Sequence, residues 1–434
     1  AECGPATLAF CQDAQAEAHE FPESFFEPRT WRRRRPQPDP AEVRAVAELI
    51  REARSPVIVA GGGVHYADAA GALRDFVAAT AIPVVETQAG KSSLPWDHPL
   101  NLGPVGVTGA SSANAACAGA DLVLGVGTRF QDFTTGSWAL FSRKGRTLVS
   151  LNVAAYDAMK HGAEPLCCDA SAGLEALRAA LEGHRAPAPS GASKADWFAA
   201  VDPLTAAPSA GNALPTDQQV IGAVQRAATA DTVVMNAAGT MPGELHKLWK
   251  ASRPMSYHAE YGFSCMGYEI AGALGIKMAE PGRDVVCMVG DGSYMMANSE
   301  LATAAMLGIA FTVVVTDNRG FGCINRLQMS TGGAEFNNLL RDARGGERSR
   351  IDFAAHAASM GADAVKVRTI AELEAALATR HSREVPFVIV IDTDPYPSTP
   401  HGGAWWDVAV PEVSDRREVR ERRAAYEAKV EERG

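Results

Sequence analysis

Val285-Val286-Cys287-Met288-Val289-Gly290-Asp291-Gly292-Ser293 and Phe311-Thr312-Val313-Val314-Val315-Thr316-Asp317-Asn318-Arg319-Gly320 decide the reading of this chain. Each is a short apolar, β-branched run that breaks into glycine and polar residues, the pattern of a strand buried on both faces. A helix is predicted soon after Gly292. Glycine lets the backbone approach an anion closely, and free N–H groups at such a turn favour phosphate oxygens. Gly290, Gly292 and Ser293 are therefore candidate phosphate contacts. Asp291 stands in the same turn, and a carboxylate facing phosphate calls for a cation between them. Magnesium meets that need, because it takes one or two carboxylates together with phosphate oxygens in an octahedral shell. Neighbouring parallel strands bring their carboxyl ends to one crevice. Asn318 then offers its amide oxygen and Gly320 its carbonyl beside Asp291. Either half alone reads as an ordinary glycine turn or strand-end Asn; the pair, with twenty-five residues between Gly292 and Asn318, favours a ligand site.

Outward from this segment the pattern alternates. Strands are predicted at 232–235, 284–289, 311–316 and 387–392, with helices near Thr216, Gly267, Asn298, Asp352 and Ile370. This gives an α/β domain with a doubly wound parallel sheet over 215–400. The loop Asn236-Ala237-Ala238-Gly239-Thr240 follows its first strand, so Ala238, Gly239 and Thr240 are further candidate diphosphate contacts, with a plain turn as the alternative. A second alternation runs over 41–186, with strands at 57–60, 82–86, 121–127 and 147–153, and reads as a Rossmann-like central domain. Arg- and Pro-rich 31–40 and Pro-, Ala- and Ser-rich 187–214 read as linkers. The tail 401–434 ends in a charged helix from Arg416. Residues 5–10 read as a strand with no earlier partner, and 1–30 as the remnant of a first domain that is largely missing.

Composition limits the function classes. The formal net charge of −10 argues against a nucleic-acid groove. No apolar run has the length to cross a bilayer. Eight cysteines without zinc or redox spacing, Cys167 and Cys168 being adjacent, suit idle thiols in a cytoplasm.

The Gly-Asp-Gly to Asn spacing resembles the signature of the thiamine diphosphate (ThDP) enzymes. That resemblance implies ThDP and Mg2+ as cofactors, with Asp291, Asn318 and Gly320 as metal ligands. It also places Met266, in Tyr261-Gly262-Phe263-Ser264-Cys265-Met266-Gly267, beneath the bent cofactor, and the Ser264 carbonyl near its amino group. The stretch Gly127-Thr128-Arg129-Phe130-Gln131-Asp132 resembles the acetolactate-synthase branch, in which this domain often carries FAD. Gly61-Gly62-Gly63 is only a weak dinucleotide signal.

Glu86-Thr87-Gln88-Ala89-Gly90-Lys91, Tyr294-Met295-Met296-Ala297-Asn298-Ser299-Glu300-Leu301, Asp317-Asn318-Arg319-Gly320-Phe321-Gly322-Cys323-Ile324-Asn325-Arg326-Leu327-Gln328 and 332–339 are more telling. They resemble the ring-opening hydrolases of inositol catabolism, from near residue 1 to Trp405-Trp406-Asp407. The resemblance implies a polyol dione substrate, opened to 5-deoxyglucuronate with the cofactor as electron sink. It implies a homodimer or homotetramer. The activating Glu is expected upstream of Ala1, and neither Glu86 nor Glu300 takes that role by resemblance. Asn325, Arg326, Gln328, Asn337 and Asn338 are candidate hydroxyl partners, and His401 with Trp405-Trp406 a candidate lid; surface or turn roles are the alternative for each. An acetolactate-synthase-like carboligase and a non-catalytic remnant are the competing readings.

Overall fold

The computed structural model describes residues 7–30, 32–187, 193–207, 213–346 and 350–433. The first sheet comprises β1 (Pro56–Ala60), β2 (Val84–Glu86), β3 (Asn101–Pro104), β4 (Leu122–Val126), β5 (Thr147–Asn152) and β6 (Glu164–Cys167). Every pairing is parallel and the order is β3-β2-β1-β4-β5-β6, reversing between β1 and β4. The second comprises β7 (Thr232–Asn236), β8 (Tyr257–Ala259), β9 (Asp284–Gly290), β10 (Thr312–Asp317), β11 (Asp363–Val367) and β12 (Phe387–Asp392). It is also parallel, in the order β11-β12-β10-β9-β7-β8. The doubly wound α/β class follows directly.

Local chemistry explains the elements. All residues of β1, β4, β7 and β10 are buried, as valine-rich central strands covered on both faces should be. Thr216 caps the helix Asp217–Ala227 in a reciprocal capping box with Gln219. Asp39 caps Pro40–Glu52, whose first residue is a proline fixed at the helical φ.

Four strands escaped the sequence pattern: β3, β6, β8 and β11. All four are sheet edges. An edge needs less apolar content, and residues such as Asn101, Glu164, His258 and Lys366 blur the periodicity. Residues 7–10 form no strand, since no neighbour pairs with them; residues 5 and 6 lie outside the described residues. The segment read as a second linker carries the helix Lys194–Val201, with Trp197 and Val201 in the core beside Val220 and Val224. The helix Arg417–Arg433 is laced by Arg417–Glu421 and Arg423–Glu427 pairs.

A buried polar seam joins the two sheets. Lys91 Nζ donates to the His246 carbonyl at 2.9 Å, and the His246 imidazole lies 3.0 Å from Thr108 Oγ1 and 3.2 Å from the Glu86 carbonyl. Gln88 Nε2 donates to the Pro242 carbonyl at 2.8 Å, and the Tyr257 hydroxyl to Gln88 Oε1 at 2.6 Å. Burial brings Lys91 down to about 8, opposed by the Glu86 charge. The Glu86 side chain accepts from the Leu94 N–H and the Asn101 amide, which commits it to holding the first sheet.

The glycines after β1 are also accounted for. A Cβ on Gly61 would stand 2.4 Å from the Gly127 carbonyl oxygen, and one on Gly63 2.5 Å from the Gly127 Cα. The loops after β1 and β4 thus pack backbone to backbone where strand order reverses. Gly61→Ala should destabilise the protein by about 1–3 kcal/mol through this overlap with backbone. Urea unfolding followed by tryptophan fluorescence checks it, and an unchanged midpoint contradicts it.

Candidate active site

The carboxyl ends of β7, β8, β9 and β10 open on one edge of the second sheet, and the residues read from the sequence as cofactor or metal contacts lie at or just beyond those ends. At the end of β9, Asp291 is 5% exposed; its Oδ2 accepts the Gly320 N–H at 2.9 Å, while its Oδ1 has no partner. Burial first, and Asp317 second, push its carboxyl up to about 7. Asn318, at the end of adjacent β10, is 8% exposed and its Oδ1 is likewise unpartnered. Ser293, in the same turn, is buried, and its hydroxyl faces the Glu269 carboxylate.

Gly320 meets Asp291 through its N–H. Its φ of +146° and a Cβ position 2.4 Å from the Asn338 carbonyl oxygen require glycine, because the 319–321 segment bridges to Leu339.

The other loops converge on the same turn. A Cβ on Gly292 would lie 2.9 Å from Phe321 Cε1 and 3.5 Å from Met266 Cε, so the glycine leaves open a space walled by both. Met266 is half-buried, which separates it from an ordinary core methionine. Phe321 went unassigned in the sequence, where it reads only as a residue after a glycine. Ser264 adopts φ +55° and its Oγ donates to the Ala237 carbonyl at 3.2 Å, tying this loop to the one after β7.

Gly239, at φ +76°, precedes the helix Thr240–Leu248 with no side-chain cap, leaving helix-start N–H groups for an anion. The Ala238 N–H, by contrast, is committed to Glu269 Oε1 at 3.1 Å, so Ala238 offers no free donor. Arg326 Nη2 donates to Thr240 Oγ1 at 2.7 Å.

The candidate hydroxyl partners serve mostly within the chain. Asn338 Nδ2 donates to Gln328 Oε1 at 2.7 Å, Asn325 Nδ2 to Glu335 Oε1 at 2.9 Å, and Arg326 also to the Pro395 carbonyl. Trp406 Nε1 donates to Asp132 Oδ2 at 2.8 Å, and its ring lies 4.8 Å from that of Phe133. Trp406 therefore packs on the first sheet's loops, while the Trp405 ring stacks 6.1 Å from that of Tyr426. A cavity of about 700 Å³ lies between those loops and 258–263, lined by Gly62, Thr128, Arg129, Asn152, His258 and Tyr261.

Among the described residues no group of three or more His, Cys, Asp or Glu side chains has metal-site geometry. The crevice instead offers one carboxylate and one amide oxygen, a set that suits a hard cation whose remaining ligands come from phosphate and water. Among the described residues no helix is long and apolar enough to cross a membrane.

Comparison with known proteins agrees with this architecture. Residues 43–177 match the family described as thiamine pyrophosphate enzyme, central domain, and residues 237–391 match thiamine pyrophosphate enzyme, C-terminal TPP binding domain. The 3D-(3,5/4)-trihydroxycyclohexane-1,2-dione hydrolase of Geobacillus thermodenitrificans is 40% identical over 99% of this chain and 71% of its own length. The protein so named in Bacillus licheniformis is 38% identical with the same coverages. A benzoylformate decarboxylase structure from Polynucleobacter necessarius superposes with a TM-score of 0.69 at 19% identity, over 88% of this chain and 69% of that one, which speaks to the fold. The chain belongs to the thiamine pyrophosphate (thiamine diphosphate) enzyme family and, within it, to the group of these dione hydrolases.

The loop that follows β8 is held by a carboxylate at its start. Glu260 Oε1 accepts the N–H groups of Gly262 and Phe263 at 3.0 and 3.1 Å, and Oε2 that of Cys265 at 2.6 Å. Burial is the largest single influence and raises its pKa, but the backbone donors together outweigh it and lower it. Glu260→Ala should therefore speed amide hydrogen exchange at 262–265 by about tenfold or more, the loss of at least one charge-assisted bond. Exchange unchanged at those amides would contradict this role.

Proposed function

We propose that this chain is a Mg2+- and ThDP-dependent hydrolase that opens the ring of 3D-(3,5/4)-trihydroxycyclohexane-1,2-dione to 5-deoxy-D-glucuronate in myo-inositol catabolism. One observation carries the reading in a chain of this kinship. Asp291 Oδ1 and Asn318 Oδ1 are buried, lack hydrogen-bond partners and sit at the ends of adjacent strands. Leaving such oxygens unsatisfied costs a few kcal/mol, which a bound cation offsets.

Asp291 and Asn318, with the Gly320 backbone, would hold the Mg2+. The helix start at Gly239 and Thr240, together with Gly290, Gly292 and Ser293, would hold the diphosphate. Met266, in contact range of the Gly292 turn, would support the rings, with the Ser264 carbonyl beside the amino group. When bound, ThDP supplies a carbanion and an electron sink, the chemistry that cleavage of a C–C bond beside a carbonyl requires. The protein's part is to bind, orient and shield.

Several large apolar side chains at this edge are exposed, among them Phe263 (92%), Phe336 (69%), Met296 and Ile324. Such a concentration supports burial against a second subunit, in a homodimer or homotetramer. A cytoplasmic location suits the free cysteines and the small polar substrate.

Two measurements test the proposal. Incubated with the dione, ThDP and Mg2+, the protein expressed from its native start codon should release the linear acid, with turnover lost on chelation. A ThDP-bound enzyme that instead joins two pyruvate molecules would make it a carboligase, and a ThDP-bound enzyme without turnover a binding module. Separately, ThDP at a hundred times its Kd with Mg2+ should stabilise the protein by about 2.7 kcal/mol. Asp291→Ala should abolish that gain in a thermal-shift titration; a full gain in the variant would contradict the metal assignment.

A further inference from the structure

Glu269 is the second residue of the helix Tyr268–Ala279 and is fully buried beside Ile270, Ala273 and Leu274. A carboxylate at such a position is costly unless it is closely bonded. Its bonds go to two loops. Oε1 accepts the Ala238 N–H at 3.1 Å, and Oε2 the Gly267 N–H at 2.9 Å. Burial raises its pKa, opposed by its own backbone N–H, by those of Ala238 and Gly267, and by the Ser293 hydroxyl.

The two donors lie at opposite ends of the candidate cofactor site. Ala238 precedes the uncapped helix start at Gly239 and Thr240, on the diphosphate side. Gly267, at φ +96°, follows Met266 on the ring side. Between Glu260 and Glu269 the loop holds Ser264 at φ +55°, a conformation that persists only where the surroundings over-determine it.

We propose that Glu269 is a positioning residue for the cofactor, its carboxylate clamping the diphosphate loop at Ala238 to the ring loop at Gly267. The separation between the groups that hold the two ends of one ThDP molecule is thereby set before the cofactor arrives. A carboxylate suits this task because both of its oxygens accept. A glutamine of the same size has one acceptor and would set its amide N–H against a backbone N–H. The inference rests on the reading of this crevice as the ThDP site.

The test compares the unsubstituted full chain with Glu269→Gln, Glu269→Asp and, as a control, Leu274→Ala. The control weakens the same helix without touching either loop. ThDP binding in the presence of Mg2+ is measured by calorimetry, and the bound aminopyrimidine by near-ultraviolet circular dichroism. Loss of a charge-assisted bond should weaken ThDP binding roughly 10- to 100-fold in Glu269→Gln. Its dichroic band should change, and at saturating ThDP kcat should fall while KM for the dione holds. Leu274→Ala should lose thermal stability yet bind ThDP within about twofold. Equal ThDP affinity and an unchanged band in Glu269→Gln would overturn the clamp, as would a loss matched by Leu274→Ala. Failure of the unsubstituted chain to bind ThDP would overturn the cofactor reading itself, a separate and recognisable result.

Discussion

The parallel pairing of β9 with β10, in a register that sets Gly290 opposite Thr316, brings Asp291 and Asn318 to the same end of the sheet. A shift of one residue would turn either side chain to the opposite face, so the register determines which side of the sheet the two side chains take. The valine-rich strands, buried on both faces, hold it there. At this point the Asp291 and Asn318 oxygens are buried without hydrogen-bond partners, as befits a place for a cation.

The loops about the opening are tightly restrained. Glu260 and Glu269 take five backbone N–H groups between them, and Arg326 fixes Thr240 to the segment after β10. The effect is a site whose backbone is arranged in advance, so that less conformational freedom is lost on binding. The polar seam from Tyr257 through Gln88 and Thr108 to His246 joins this site to the first sheet. Burial holds the imidazole's pKa well below its ordinary value, and Lys91 adds to the effect.

The fold was legible where apolar runs are long and central. The eight interior strands announce themselves by composition, whereas β3, β6, β8 and β11 are edges whose polar residues dilute the signal. At the site, Asp291 and Asn318 were legible because a carboxylate in a glycine turn has little other reason to be there. Met266 was placed only by resemblance. Glu269 could not be seen, since a glutamate early in a helix usually faces solvent and stabilises the helix start. Its burial, and its two partners from separate loops, depend on tertiary packing. Asn325, Gln328 and Asn338 follow the alternative given for them, a role within the chain: Asn338 bonds to Gln328 and Asn325 to Glu335.

A crystal structure of the chain grown with ThDP and Mg2+ would locate both cofactors. It should show a cation held by the Asp291 carboxylate and the Asn318 amide oxygen against the diphosphate, with the N–H groups at the start of Thr240–Leu248 facing phosphate oxygens. A diphosphate bound elsewhere, for instance in the cavity beside Gly62 and Arg129, with Asp291 and Asn318 still unpartnered, would contradict this placement.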